Sequence, residues 1–448
     1  MMPDAEAALL RHVLETPEAA IPAAARAAAR VFMLDTLAVG VAGTAHDDQP
    51  GVLAAARCWG EGTAAAVWGD TVRLPAAQAA FVNAFQAHAL EFDAIHEAAI
   101  VHAVTPTLAA ALAEAERLGG VSGTRLVSAV VFGLDLACTI GAAARGPMRF
   151  FRPATAGMFG AYGAVARLRG FDLARGAGGA GLLLGQIPGT MQAHHEGGMA
   201  LAVQMGFAAA AGIRAADLVD AGARGPSAWL TGASGFLPMT EPAHDLAPGL
   251  AGLGRSWQVE AVSHKPFPSG RLTHPVIDGL QRLLGHEAIV PETIREIRLH
   301  LPPLAMRLVG RPLRGDLTPN YARLCLPFVA ATTLRFGTVT LADFTPARLA
   351  DPETLALAAR VTMVEVDNPD PNAVVPQTIE VVHGPTARVT VTHTLGSPAN
   401  PLTSEARVDK AAACLAAGRN PRADAAALVA AVEALDDAPN LAGLMRAV

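Results

Sequence analysis

From residue 4 to residue 213 the chain is a succession of Ala-, Leu-, Val- and Gly-rich stretches at helical spacing, with few charged positions. A helix that is apolar on most sides must be buried on most sides. Such a chain can fold only as helices packed against one another. Residues 121–144 are the extreme case. Residues 4–45 read as two helices, with Pro22 at a first-turn position and Gly40 and Gly43 at the end. Helices are expected at 48–60, 74–90, 106–118, 172–186 and 198–213, with a short extended piece at 65–68 and an irregular stretch over 214–255.

Composition shifts near residue 265. A helix is expected at 274–285 and another at 322–337, ending at Gly337. Ile294–Leu301 alternates apolar and polar residues, the mark of a half-buried strand, and strands at 361–366, 378–382 and 387–394 repeat it. This predicts a small α/β unit with antiparallel strands and helices on one face. From Pro401 the chain is helical again, and those helices are expected to return to the first part. The expected organisation is mainly α: a discontinuous helical domain from 1–265 and 400–448, with an inserted α+β lid domain at 266–399.

The chain has 448 residues, 52% hydrophobic and 17% charged, with a net charge of −6. A mildly acidic balance argues against nucleic acid or anionic lipid as partner. No window of about 20 apolar residues is free of charge, so no spanning helix is expected. No signal peptide is apparent at the start. Cys58, Cys138, Cys325 and Cys414 are far apart and form no CxxC pair, which fits a reducing, cytoplasmic setting without a zinc knuckle.

Against this apolar background three polar islands stand out. The first runs from Gln86 to Thr107 and holds His88, Glu91, Asp93, His96, Glu97 and His102. By spacing, His88, Glu91, Phe92 and Ile95 fall on one helical stripe, and Asp93, His96 and Glu97 on another. Titratable clusters in apolar surroundings favour shifted pKa values and function. The second island is Gln192, His194, His195 and Glu196. The third is Ser263-His264-Lys265-Pro266-Phe267-Pro268-Ser269-Gly270-Arg271-Leu272-Thr273-His274. Lysine occurs only at Lys265 and Lys410, so a lysine in this Pro-restrained turn calls for a reason. Lys265, Ser269, Arg271 and helix-start N–H groups together make a carboxylate cradle. Arg152 stands beside a second helix N-terminus, at the head of Ala154-Thr155-Ala156-Gly157.

These pieces, in this order, resemble the MmgE/PrpD family, which includes 2-methylcitrate dehydratase, cis-aconitate decarboxylase and iminodisuccinate epimerase. The resemblance is carried by Met33-Leu34-Asp35-Thr36-Leu37 with Gly43; Asn83 through Phe92-Asp93; His102 with Thr105-Pro106; Thr155-Ala156-Gly157 with Phe159-Gly160; Lys265-Pro266-Phe267-Pro268-Ser269 with Arg271 and His274; and Asn400-Pro401-Leu402 with Lys410. It implies the helical domain with inserted lid, a homodimer, a site between the domains, and neither metal nor organic cofactor. It implies a lyase, a hydro-lyase like 2-methylcitrate dehydratase, that removes the proton α to a carboxylate of a small di- or tricarboxylic acid. The alternatives are an epimerase or isomerase in the same fold, or a non-catalytic carboxylate binder. Three polar positions of the family are replaced here, by Phe151 or Arg152, by Leu201 and by Gly270, which argues against cis-aconitate decarboxylation.

The expected catalytic residues are His102 as base or acid, Asp93 to orient a histidine or hold substrate, Lys265 to stabilise developing charge, His194, and Tyr321 as an acid. Substrate contacts are expected from Arg271, Ser269, His96, Glu97, Gln192, His195, His274 and Arg152.

Overall fold

The computed structural model describes residues 2–420 and 424–448. Its body is a bundle of α1 (Ala23–Gly43), α2 (Ala76–His88), α3 (Val104–Leu118), α4 (Gly123–Ala142), α5 (Arg152–Leu168) and α6 (Ala200–Asp220). Helix α5 lies against α3, α4 and α6, and α2 lies against α1, α3 and α6. Small residues permit this closeness. A Cβ on Gly133 of α4 would stand 2.7 Å from Gly160 O of α5, and a Cβ on Gly160 would stand 2.5 Å from Thr107 Oγ1 of α3. Helices α4 and α5 therefore meet almost backbone to backbone, with the Thr107 side chain of α3 against both. Ser122 caps α4 by accepting a hydrogen bond from Arg125 N. Helices α4 and α6 are long and apolar enough to cross a membrane by length and composition, but 89% and 67% of their apolar windows are buried inside the fold. Packing among helices accounts for that hydropathy.

Strands are sparse in the body. β1 (Ala65–Ala66) pairs with β2 (Arg73–Leu74), and β3 (Ile95–His96) pairs with β4 (Val262–Ser263). The second part carries α7 (His274–His286), α8 (Leu326–Phe336) and a four-stranded sheet of β5 (Glu296–Leu301), β6 (Val361–Glu365), β7 (Gln377–Val382) and β8 (Thr386–Val391), in the order β6-β5-β7-β8. Ile297, Leu299 and Leu301 of β5 are buried, while Arg298 between them is exposed. Helix α7 packs on β7 and β8, so close that a Cβ on Gly279 would lie 2.7 Å from Ile379 Cδ1. Helix α9 (Ser404–Ala417) returns to pack along α1. There Lys410 Nζ meets Asp35 Oδ1 at 2.6 Å and donates to Phe92 O at 2.9 Å.

Three local expectations are corrected. The sheet is mixed, because β6 runs parallel to β5; the long connection through α8 supplies the crossover that a parallel pair needs. The stretch 214–255 is not irregular throughout, since α6 continues to Asp220 and short helices form at Phe236–Thr240 and Ala247–Gly252. The two helical stripes over 88–97 do not exist. Helix α2 stops at His88, and the following residues turn sharply, with Glu91 and Ile100 in left-handed conformation (φ 51° and 52°).

Candidate active site

That turn builds the site. A non-glycine residue at positive φ is uncommon, and Glu91 is held there by Lys265, whose Nζ donates to both Glu91 O (3.1 Å) and Glu91 Oε2 (2.9 Å). The β3–β4 pairing sets Ile95 opposite Ser263, which brings the Pro-restrained turn against the first island. Lys265 Nζ also lies 3.9 Å from Asp93 Oδ1.

Asp93 is completely buried. Its Oδ2 accepts from Thr105 Oγ1 at 2.6 Å, and His88 Nδ1 stands 3.1 Å from both carboxylate oxygens. His102 Nδ1 lies 3.1 Å from Asp93 Oδ2, close but off the hydrogen-bond axis. The two imidazoles meet edge to face, 4.8 Å between centroids. One carboxylate thus faces two histidines and leaves the far edge of each ring directed elsewhere. Burial raises the Asp93 pKa, but His102 and His88 outweigh it and hold the carboxyl well below the usual range. Burial likewise opposes ionisation of Glu91, yet Lys265 and the histidines bring it down to about 2. The histidines diverge. Burial lowers both, but for His88 the Asp93 carboxylate more than offsets it and the net pKa is raised. For His102 burial prevails, reinforced by Lys265, and the pKa is lowered. At neutral pH His102 is the stronger candidate base and His88 the stronger candidate acid.

Both rings line a half-open cleft, with Glu91, Glu97, His194 and Arg271. Its walls come from both sides of residue 265: Ile95, Ile100, Phe151 and Leu201 from the bundle, and Leu272, Leu304, Leu308 and Leu324 from the later part. Arg271 is anchored by Nη1, which donates to His264 O (3.0 Å) and Leu395 O (2.8 Å), and its Nε donates to Glu97 Oε1 at 2.8 Å.

Asp93, His102, Lys265, Arg271 and Glu97 therefore converge, and His194 joins them at the cleft wall. Lys265 and His194 offer no free polar group to the cleft, and other expected residues do not reach it. Lys265 is fully buried and covered by Glu91, so it positions that residue and does not form an open cradle. Ser269 Oγ is engaged with Thr273 Oγ1 at 2.8 Å, and His274 Nε2 with Ser269 O at 3.2 Å, beneath the turn. His96 accepts from Ala99 N at 3.1 Å and is held neutral by burial, its pKa down to about 4. His194 Nε2 donates to Leu308 O at 3.0 Å, and burial with Arg311 nearby brings its pKa to about 4, which suits a wall residue and not an acid. Tyr321 donates its hydroxyl to Pro312 O at 2.8 Å, away from the cleft. Gln192 and His195 are exposed, and Gln192 bonds Glu196 at 2.5 Å. Arg152 is locked in a buried two-point pair with Glu241 (2.7 and 3.1 Å). Apart from exposed His195 and the Nε2 atom of His96, a nearer partner takes up the polar group in these cases.

His88, Glu91 and Thr105 carry more of the geometry than their place in the sequence reading allowed. The signal was present, since His88 and Glu91 open the polar island. A helical stripe, however, hides that they face Asp93 and Lys265. His88, Asp93 and His102 also place ligand-type atoms within 4.8 Å of one another, a donor set suited to a divalent cation, although Lys265 at 3.9 Å from Asp93 would oppose a second positive charge there.

Residues 7–248 match the MmgE/PrpD N-terminal domain and residues 267–437 the MmgE/PrpD C-terminal domain. The chain belongs to the MmgE/PrpD family. Relatives of this MmgE/PrpD chain include the cis-aconitate decarboxylases of Homo sapiens (25% identical, covering 74% of this chain and 70% of that one) and Mus musculus (24%, covering 75% and 71%). The cis-aconitate decarboxylase-like protein oryM of Aspergillus oryzae is 26% identical and covers 81% of this chain and 80% of its own. Of the positions where the resemblance calls for a polar group, given as Phe151 or Arg152, Leu201 and Gly270, the cleft is lined by Phe151, Leu201 and Gly270 but not by Arg152. At Gly270 a Cβ would stand 2.4 Å from Leu324 Cδ2, so a larger residue there requires Leu324 to move.

Proposed function

We propose that this MmgE/PrpD chain is a carboxylic-acid lyase, a hydro-lyase that removes the proton α to a carboxylate and expels a β-hydroxyl as water. The observation that carries this reading is the buried Asp93 carboxylate facing both His88 and His102, with Arg271 in the same cleft. Asp93 faces the Nδ1 edge of His102, which leaves Nε2 as the nitrogen available to substrate. Held neutral by burial, His102 takes the α-proton, and the nearby Asp93 carboxylate stabilises the imidazolium that forms. Arg271 binds the substrate carboxylate and stabilises the charge developing on it. The electron pair of the broken C–H bond becomes the new C=C bond as the C–O bond breaks, and His88 donates a proton to the departing hydroxyl. The relatives named as decarboxylases support the lyase class.

An epimerase reading has one observation in its favour. Two histidines of opposite pKa direction line one cleft, so His88 could return a proton to the carbanion with no C–O cleavage. An alkene product separates the two readings, because epimerisation forms none.

Variants His102→Ala and Asp93→Asn are expected to abolish solvent-deuterium exchange at the α-carbon while circular dichroism shows the fold retained. Near-normal exchange in both variants would remove the mechanism. Binding of carboxylic acids by the unaltered chain with no exchange at all would leave a non-catalytic binder.

A further inference from the structure

Resting on the lyase reading above, we infer that the substrate is a singly charged hydroxy acid carrying a hydrocarbon arm, and not a tricarboxylic acid. The cleft wall supplies the argument. Its charged lining is Glu91, already paired with Lys265, together with Glu97 and Arg271, beside the proton donor His88. Arg271 already meets Glu97 through Nε (2.8 Å) and Nη2 (2.7 Å). Arg311 lines an adjoining space, but its guanidinium donates to the backbone carbonyls of His194 and Tyr321. One substrate carboxylate has a cation to meet. A second or third would enter beside Glu91 and Glu97, whose cations Lys265 and Arg271 are already engaged, and would lose water with little in return.

The rest of the lining is hydrocarbon. Leu304 and Leu308, spaced i and i+4 on the short helix Pro303–Val309, present one face to the cleft with Val309. Phe151, Leu201 and Leu324 also line it, exposed by only 5%, 8% and 5%. The glycine at 270 admits Leu324 to this wall at a distance that any side chain there would contest. Such a surface removes an alkyl chain from water and offers a carboxylate nothing in exchange for its hydration.

The reaction is R–CH(OH)–CH2–COO⁻ going to R–CH=CH–COO⁻ and water. The C2–H proton goes to His102, its electron pair forms the double bond, and the C3 hydroxyl leaves with a proton from His88.

The test compares 3-hydroxybutanoate, 3-hydroxyhexanoate and 3-hydroxyoctanoate with citrate and 2-methylcitrate on the unaltered chain. Deuterium incorporation at C2 is followed by proton NMR and alkene formation by ultraviolet absorbance. The kcat/KM is expected to rise roughly fourfold per methylene until the cleft is filled, and to exceed that of either tricarboxylate by roughly tenfold or more. A flat alkyl series, or tricarboxylates that match or outrun it, overturns the inference while the lyase reading stands. Absence of exchange with every acid overturns the lyase reading, and this inference with it. Leu201→Lys adds a cation to the wall and is expected to shift the alkyl-to-citrate ratio at least about tenfold towards citrate. An unchanged ratio in a folded Leu201→Lys variant also counts against the inference.

Discussion

Replacing Lys265 by Met is the perturbation that best separates positioning from substrate binding. Lys265 is fully buried and its Nζ is committed to the backbone oxygen and carboxylate of Glu91. The cation is the largest force opposing burial in holding Glu91 at about 2 against an ordinary value of 4.5. A shift of that size corresponds to roughly 3 kcal/mol between protonation states, and removing one member of a buried ion pair typically costs about 3–5 kcal/mol. Lys265→Met is therefore expected to lose about 3 kcal/mol in urea unfolding at pH 7 with an unchanged m-value. The double variant Glu91→Gln/Lys265→Met should recover about 2 kcal/mol of that loss, because no unpaired charge remains. The pH dependence has a definite sign. A carboxyl whose folded pKa is depressed stabilises the fold above about pH 4.5, and that stability is lost as pH falls towards 2. In Lys265→Met this acid-linked loss should shrink. A single variant that keeps its stability to within about 0.5 kcal/mol and instead weakens substrate binding would refute the reasoning and restore Lys265 as an open carboxylate cradle.

Three further outcomes are expected. The kcat/KM should rise with pH through a group titrating below 6.5, His102, and fall through one titrating above it, His88; a pH–rate profile with a single rising limb above pH 7 would contradict this. Arg152→Ala should cost about 3–5 kcal/mol by leaving buried Glu241 unpaired, with KM unchanged, as thermal unfolding and steady-state kinetics will show. Gly43→Ala should destabilise by about 1–3 kcal/mol or more, since its Cβ would lie 2.0 Å from Gln86 O. By contrast, Gly51→Ala, with open space around it inside a helix, should stabilise by about 0.5–1 kcal/mol; equal effects in denaturant would refute the packing argument.

Much of the fold was legible because its determinants are local. A helix declares itself through a repeated apolar face, a first-turn Pro22 or a Gly337 stop, and a half-buried strand through the alternation of Ile297, Leu299 and Leu301. The direction of β6 was not legible, since pairing direction depends on the path of the whole crossover through α8. The polar islands could be seen as compositional exceptions, and the scarcity of lysine drew attention to Lys265.

What each polar group does was decided only in three dimensions. Asp93 and Arg152 are both, on paper, charged candidates for the site. One meets two histidines and a threonine at the edge of a cleft, and the other is closed off by Glu241, 89 positions away. The burial penalty on a charge is relieved by whichever partner the packed helices bring within about 3 Å. Local sequence pattern records which residues need a partner. Contacts such as β3 with β4, joining positions 95 and 263, determine which partner each one finds, because they depend on how distant segments pack and not on any residue's neighbours in the chain.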